Sequence, residues 1–338
     1  MEALALYLLK SGALIALFYL AYYFLLRKET FFISNRWFLL FGLVTSVLLP
    51  LVTYKKVVWI DPLPSNIDWA NLPYATVTAP AEQGFEIDWM LVSLIVYAIG
   101  IFGFLLTFFM DFYSLNRALK GRQILRQADY RFVDTDDKIA PFSYFNYIVY
   151  NSSLYSEAEL ANIIEHEKVH SNQNHTMDVL FARFFCIVFW FNPFVWLYKK
   201  AMLQNLEFIA DAEATKNIED KKSYQITLLK VTGHENCVDI TNHFYQSLIK
   251  KRIVMLNKNQ SNRISSWKYF LIIPLLAAFL VYFQVKVVAQ EKPGAIVLED
   301  GATFKLDKNT TDAEMKTQAE RLKSEHGVTL KCSRVKRN

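Results

Sequence analysis

Ile164-Glu165-His166-Glu167-Lys168-Val169-His170 contains the pattern H-E-x-x-H. On a helix, residues i and i+4 share a face, so the imidazoles of His166 and His170 can reach one metal ion. Glu167 is offset from them by about 100°. There its carboxylate can take a proton from a water activated at the metal. The helix is signalled independently. Ser156 followed by Glu159 reads as a capping box, and Leu160, Ile163, Ile164, Glu167 and His170 keep helical spacing. The pattern alone is short, and an exposed helix with two surface histidines would carry the same letters.

Two histidines need a third protein ligand. Downstream, Asn205-Leu206-Glu207-Phe208-Ile209-Ala210-Asp211 lies in another helical pattern, with Glu207 and Asp211 at i and i+4. Glu207 is expected to complete a His, His, Glu set for one Zn2+. Asp211 is expected to accept the spare ring N–H of a ligand histidine and so fix its tautomer. His175 follows His170 by five positions on what reads as the same helix. It is expected off the ligand face, at the surface or behind a ligand. Asp178 is given no role, and His234, His243 and His326 are isolated.

The surrounding chain is apolar: 53% of its 338 residues are hydrophobic. A helix needs roughly 20 mainly apolar residues to cross a bilayer. Four stretches qualify, at about 3–26, 37–52, 89–110 and 267–288. Trp37, Trp89 and Trp267 stand at their ends, as interfacial anchors do. The first stretch begins with Glu2 instead of a basic segment, and no small-x-small cleavage site follows it. It is read as a retained span. Cys186, Cys237 and Cys332 are too far apart for a C-x-x-C knuckle and read as reduced thiols. The small positive charge includes no long basic tract, so direct nucleic-acid binding is not expected.

The expected fold class is mainly α: a polytopic membrane protein with four transmembrane helices and a gluzincin-like peptidase domain between the third and fourth. The expected divisions are a three-span region 1–110 with an extracytoplasmic loop 53–88, the peptidase domain 111–266, the fourth helix 267–288 and a short tail 289–338. Arg27, Lys28 and Arg36 flank the first loop. Arg117, Lys120, Arg122 and Arg126 follow the third span, and Lys250, Lys251 and Arg252 precede the fourth. The positive-inside rule then puts the first loop and the peptidase domain in the cytoplasm of a bacterial inner membrane, with the N-terminus and tail outside.

Residues 179–198 are apolar enough to pass for a fifth span. A single crossing would separate His166 and His170 from Glu207, and about 20 residues are too few to cross twice. Pro193 breaks the helix, with Asn192 before it biased to extended backbone. A re-entrant or membrane-resting helical hairpin is expected; the rival is a buried core helix of a soluble domain.

The order of three spans, His166-Glu167-Lys168-Val169-His170, Trp190-Phe191-Asn192-Pro193, Glu207-Phe208-Ile209-Ala210-Asp211 and a fourth span resembles the BlaR/MecR signal-transducer metallopeptidase family. The stretches 165–178 and 192–214 resemble its Bacteroidetes branch. The resemblance implies a gluzincin domain on the cytoplasmic side and cleavage of a cytoplasmic protein, often a transcriptional repressor, in response to an outside signal. It leaves self-cleavage and a homodimer open. The β-lactam-sensing members carry a large penicillin-binding domain after the last span. Here only about fifty residues follow it, and the two S-x-x-K matches, 265–268 and 333–336, lack S-D-N and K-T-G companions. Direct β-lactam sensing is therefore not expected.

In the tail, 295–298 and 303–306 read as strands about Asp300-Gly301, 311–325 as a helix, and 328–335 as a third strand. Beside the peptidase reading stand two others. One is a non-catalytic receptor or scaffold whose structural zinc would carry a fourth protein ligand, such as His175. The other is a transporter, for which Lys10 is the only strong intramembrane charge.

Overall fold

The computed structural model describes residues 2–60, 87–137, 139–218, 220–233, 239–291, 295–297, 303–305 and 312–326. The chain divides into two compact units. One comprises residues 1–52 and 86–284, the other 53–85 and 285–338.

The larger unit begins with three long apolar helices: α1 (Glu2–Ala21, continued as a π turn to Leu26), α2 (Phe32–Leu48) and α3 (Trp89–Leu119). A mixed sheet follows, of β2 (Ile124–Gln127), β3 (Tyr130–Asp134), β4 (Phe142–Tyr144) and β5 (Tyr147–Tyr150), after β1 (Tyr54–Ile60) of the other unit. Its order is β2-β3-β5-β4, with β3 and β5 parallel and β4 at an edge. This sheet went unread in the sequence. Its strands have three to five residues, too short for alternation to stand out.

Next come α4 (Glu157–Asn172), α5 (His175–Val188), α6 (Pro193–Ala214), α7 (Lys221–Gly233), α8 (Asp239–Leu256) and α9 (Ile272–Phe283). Both halves of the Ser156–Glu159 capping box are present at the start of α4. The helix does not run on to Asp178. Asn174 takes the left-handed region (φ 51°) and breaks it, a conformation Asn tolerates better than most residues. His175 and Asp178 therefore belong to α5.

Helices α5 and α6 form a hairpin. Asn192 is extended, its side chain accepts from the Phe194 N–H, and Pro193 opens α6 where its missing N–H costs nothing. The hairpin packs between membrane-type helices. Asn192 Nδ2 donates to the Gly12 carbonyl (3.1 Å), and Tyr97 Oη donates to the Val188 carbonyl (3.0 Å). Tyr198 Oη donates to the Leu39 carbonyl (2.7 Å). Ile15, Phe18, Leu39, Leu43, Phe185, Phe189, Tyr198 and Met202 make one buried cluster there.

Gly42 and Gly100 permit these approaches. A Cβ at Gly42 would strike Tyr198 and Phe18, and one at Gly100 would strike Trp190; at Gly103 nothing lies near. Gly42→Ala and Gly100→Ala should each cost about 1–3 kcal/mol through overpacking, and Gly103→Ala should be neutral. Denaturant unfolding in detergent micelles measures all three.

Four helices are long and apolar enough to cross a membrane: 2–26, 32–51, 89–117 and 263–283. Lys10, the charge within the first, donates to the Phe283 carbonyl (2.5 Å) and to Gln284 Oε1 (3.4 Å). It thus satisfies a carbonyl at the C-terminal end of α9. At the opposite end, Glu29 pairs with Lys268 (2.6 Å), and the Thr30 N–H donates to Ser261 Oγ (2.9 Å). Helices α1 and α9 therefore run antiparallel.

In the smaller unit, β1 pairs in parallel with β6 (Val285–Glu291). The fourth apolar helix thus ends at Phe283 and not at Val288. The β-branched run Val285-Lys286-Val287-Val288 is hydrophobic enough to extend a span, and hydropathy does not separate it from one. Strands β7 (Ala295–Val297) and β8 (Thr303–Lys305) form an antiparallel hairpin, and α10 covers Asp312–His326. The expected third strand, 328–335, lies outside the described residues, as do Asp300-Gly301 and most of the loop 53–88.

Candidate metal centre

Helices α4 and α6 pack side by side and bring His166, His170 and Glu207 together. His166 Nε2 and His170 Nε2 are 3.2 Å apart. Glu207 Oε2 lies 3.4 Å from the first, and its Oε1 lies 3.6 Å from the second. Among the described residues this is one group whose ligand atoms converge closely enough to hold an ion. Zinc bonds of 2.0–2.1 Å arranged as a tetrahedron separate the ligand atoms by about 3.3 Å. The separation of the two imidazole nitrogens is close to that edge, each lies near one of the two Glu207 oxygens, and the donor set is one zinc accepts.

The three side chains open into a cleft of about 470 Å³, a size suited to a small ligand or a few residues of peptide. Glu167 is nearly buried and lines the same cleft. Phe108, Asp111 and Phe112, at the end of α3, form one wall; Phe142, Ser143 and Tyr144 of the edge strand β4 form another.

Two residues that the sequence did not single out complete the centre. Tyr224 Oη lies 2.8 Å from His166 Nδ1 and donates to Asp211 Oδ1 (2.7 Å). Asp211 itself is 3.4 Å from His166 Nδ1, long for a hydrogen bond beside the tyrosine contact. The expected direct Asp211–histidine bond is therefore replaced by a relay through Tyr224. Arg252 then grips Asp211 with two nitrogens (2.6 and 2.8 Å) and reaches Glu207 Oε2 (2.7 Å). Its Nη2 also stands 3.3 Å from His166 Nε2. Read as a membrane-flanking charge, Arg252 is instead 12% exposed and faces inward. Nothing in the run Lys250-Lys251-Arg252 distinguishes it, because only the packing of α8 on α6 turns it toward the acids.

Burial alone would raise the Glu207 carboxyl, but Arg252 and the two imidazoles more than offset it and hold Glu207 well below the usual range. Burial keeps His170 below the ordinary histidine value, which favours the neutral form that a metal ligand needs. For His166, burial is the largest effect and lowers it, but the hydrogen bond to Glu207 together with the charges of Asp211 and Glu207 outweighs it, and the net shift is upward.

His175 is fully buried, with its Nδ1 2.8 Å from His170 Nδ1. It meets the far side of that ligand and does not turn to the ion position. Burial, reinforced by His170, lowers it to about 3, so it too is neutral. The surface alternative for His175 is thereby set aside. Asp178 pairs with Arg36 of α2 at 2.6 Å.

Tyr224→Phe removes the group between His166 and Asp211 without changing shape. Metal affinity should fall about 10–100-fold, as for other lost outer partners, with unfolding little changed. Competition with a chelating dye measures the first.

No curated protein matches the chain. Residues 146–256 match the family model described as BlaR1 peptidase M56. That interval holds α4 to α8, and with them all three converging side chains, Glu167, Asp211, Tyr224 and Arg252. Over residues 146–256 the chain is thus similar to the BlaR1-type M56 peptidases, a family of metallopeptidases.

Proposed function

We propose that the chain is a multi-pass zinc endopeptidase of the gluzincin type in a bacterial cytoplasmic membrane. It would hydrolyse a cytoplasmic protein, a transcriptional repressor or the chain itself, in response to an extracytoplasmic signal. The observation that carries this reading is the convergence of His166, His170 and Glu207, their ligand atoms all within 4.8 Å of one another, beside Glu167 within the cleft.

The assigned roles follow from geometry and chemistry. His166, His170 and Glu207 would hold the zinc, which when bound acidifies a water and polarises the scissile carbonyl. Glu167 accepts the proton from the attacking water and returns it to the leaving amine. Asp211, through Tyr224, keeps His166 in the tautomer that leaves Nε2 free. Edge strand β4 offers backbone groups with which an extended peptide can pair, which supports a polypeptide substrate. A structural site would carry a fourth protein ligand, and His175, the candidate for it, is engaged with His170 Nδ1 instead.

The membrane reading draws on the antiparallel arrangement of α1 and α9, which supports a common side for the N-terminus and the tail. Arg36 on the first loop's side of α2 meets Gln173 (2.8 Å), so that loop and the zinc site share one end. With the basic flanks, this supports a cytoplasmic site. The Asn192 tip of the hairpin meets α1 at Gly12, roughly 15 Å along that helix from Glu2. This depth supports a re-entrant hairpin over a surface-resting one.

Comparative proteomics of cells carrying wild type or Glu167→Ala tests the function. A cytoplasmic protein, or a form of the chain itself, that persists uncut only in the mutant is expected. Identical proteomes under conditions that induce the wild type would count against regulated proteolysis.

A further inference from the structure

Each ligand histidine is backed by a chain of polar groups that ends on an arginine. Behind His166 the chain is Tyr224, Asp211 and Arg252. Behind His170 it is His175, Gln173 and Arg36. His170 Nδ1 lies 2.8 Å from His175 Nδ1, and His175 Nε2 lies 3.3 Å from Gln173 Oε1. Gln173 Oε1 accepts from Arg36 Nη1 (3.2 Å), and the Gln173 carbonyl accepts from Arg36 Nη2 (2.8 Å). Arg36 Nε is fixed by Asp178 (2.6 Å), and both side chains of that pair are largely buried.

Hydrogen-bond arithmetic gives this second chain a direction. Arg36 has donors only, so Gln173 must present its oxygen to it. The same oxygen faces His175 Nε2, which must then carry the proton. His175 Nδ1 is left as an acceptor, and His170 must donate to it from Nδ1. That leaves the lone pair of His170 on Nε2, the atom that meets His166 Nε2 and Glu207. We infer that Arg36, at the start of the second membrane-type helix, is a positioning residue for the metal centre, holding His170 through Gln173 and His175 in the tautomer that turns Nε2 to the ion. The inference rests on the proposed role of His170 as a ligand. Its consequence is that the second apolar helix belongs to the site. A displacement of α2 that withdraws Arg36 releases His170 without touching the cleft, which is a route by which a membrane event reaches the peptidase.

The test uses the full chain in detergent, with zinc affinity measured by competition and ligand geometry by the visible absorption of Co2+. Gln173→Met, close in size at a half-buried helix end, removes the acceptor. It should weaken zinc binding about 10–100-fold and shift the Co2+ bands. Gln173→Glu keeps an acceptor for His175 and should stay within about threefold of wild type. Arg36→Met/Asp178→Leu removes both buried charges together, which avoids an orphaned ion, and should behave like Gln173→Met. Unchanged affinity and spectrum in Gln173→Met and in the double variant would overturn the inference. Equal losses in Gln173→Glu and Gln173→Met would also overturn it, since packing and not the acceptor would then be at work. A wild-type chain that takes up no stoichiometric ion would instead remove the metal reading itself.

Discussion

Glu167→Gln should leave one zinc in place and lower kcat for peptide hydrolysis by about 10²–10⁴-fold, the usual worth of a positioned acid–base group. The amide has nearly the shape of the carboxylate and can donate, but it cannot take a proton from the attacking water. Glu167 is next to His166 on α4 and 8% exposed, so its contact with bulk water is small and its work lies within the cleft. The proposed ligands are other residues, so metal content is the control that separates lost chemistry from a lost site. A variant with full zinc and wild-type kcat would remove Glu167 from the reaction.

Glu207→Gln should abolish stoichiometric zinc binding and, with it, activity. The carboxylate is the one anion among the three converging side chains, and it is held ionised by Arg252 and the imidazoles against the opposing effect of burial. The amide keeps the volume and loses the charge. Arg252 would then lie 3.3 Å from His166 Nε2 with Asp211 as its remaining anionic partner, adding a cation to a site meant for another. The loss of affinity should exceed the 10–100-fold typical of outer partners. Metal analysis after dialysis, with thermal unfolding as the check on folding, decides it. Retention of one zinc in Glu207→Gln would mean that another residue is the third ligand.

Much of this was legible because it depends on local geometry. The spacing of His166 and His170 puts two imidazoles on one face of any helix. Ser156 and Glu159 mark where that helix starts, and Asn192-Pro193 marks where the hairpin turns. Other features depended on neighbours distant in the chain. Asn174 ends α4 by taking a left-handed conformation that an Asn within H-S-N-Q-N-H does not announce. The residues 285–291 became a strand because 54–60 lies beside them.

The basic residues teach the same lesson from the other side. Arg36 and Arg252 were counted with Lys28, Lys250 and Lys251 as markers of membrane orientation, and by charge alone the five are alike. Packing separates them. Helix α2 carries Arg36 onto Gln173 and Asp178, and α8 carries Arg252 onto Glu207 and Asp211.

The sequence by itself determined the apolar helices, the H-E-x-x-H pair and the carboxylate on a second helix, because periodicity and hydropathy act within a few turns of chain. Only the tertiary structure decided which groups stand behind the ligands. A buried polar atom takes whichever partner the packing brings within about 3 Å, and that partner lies 137 positions along the chain for Arg36 and Gln173, and 86 for His166 and Arg252.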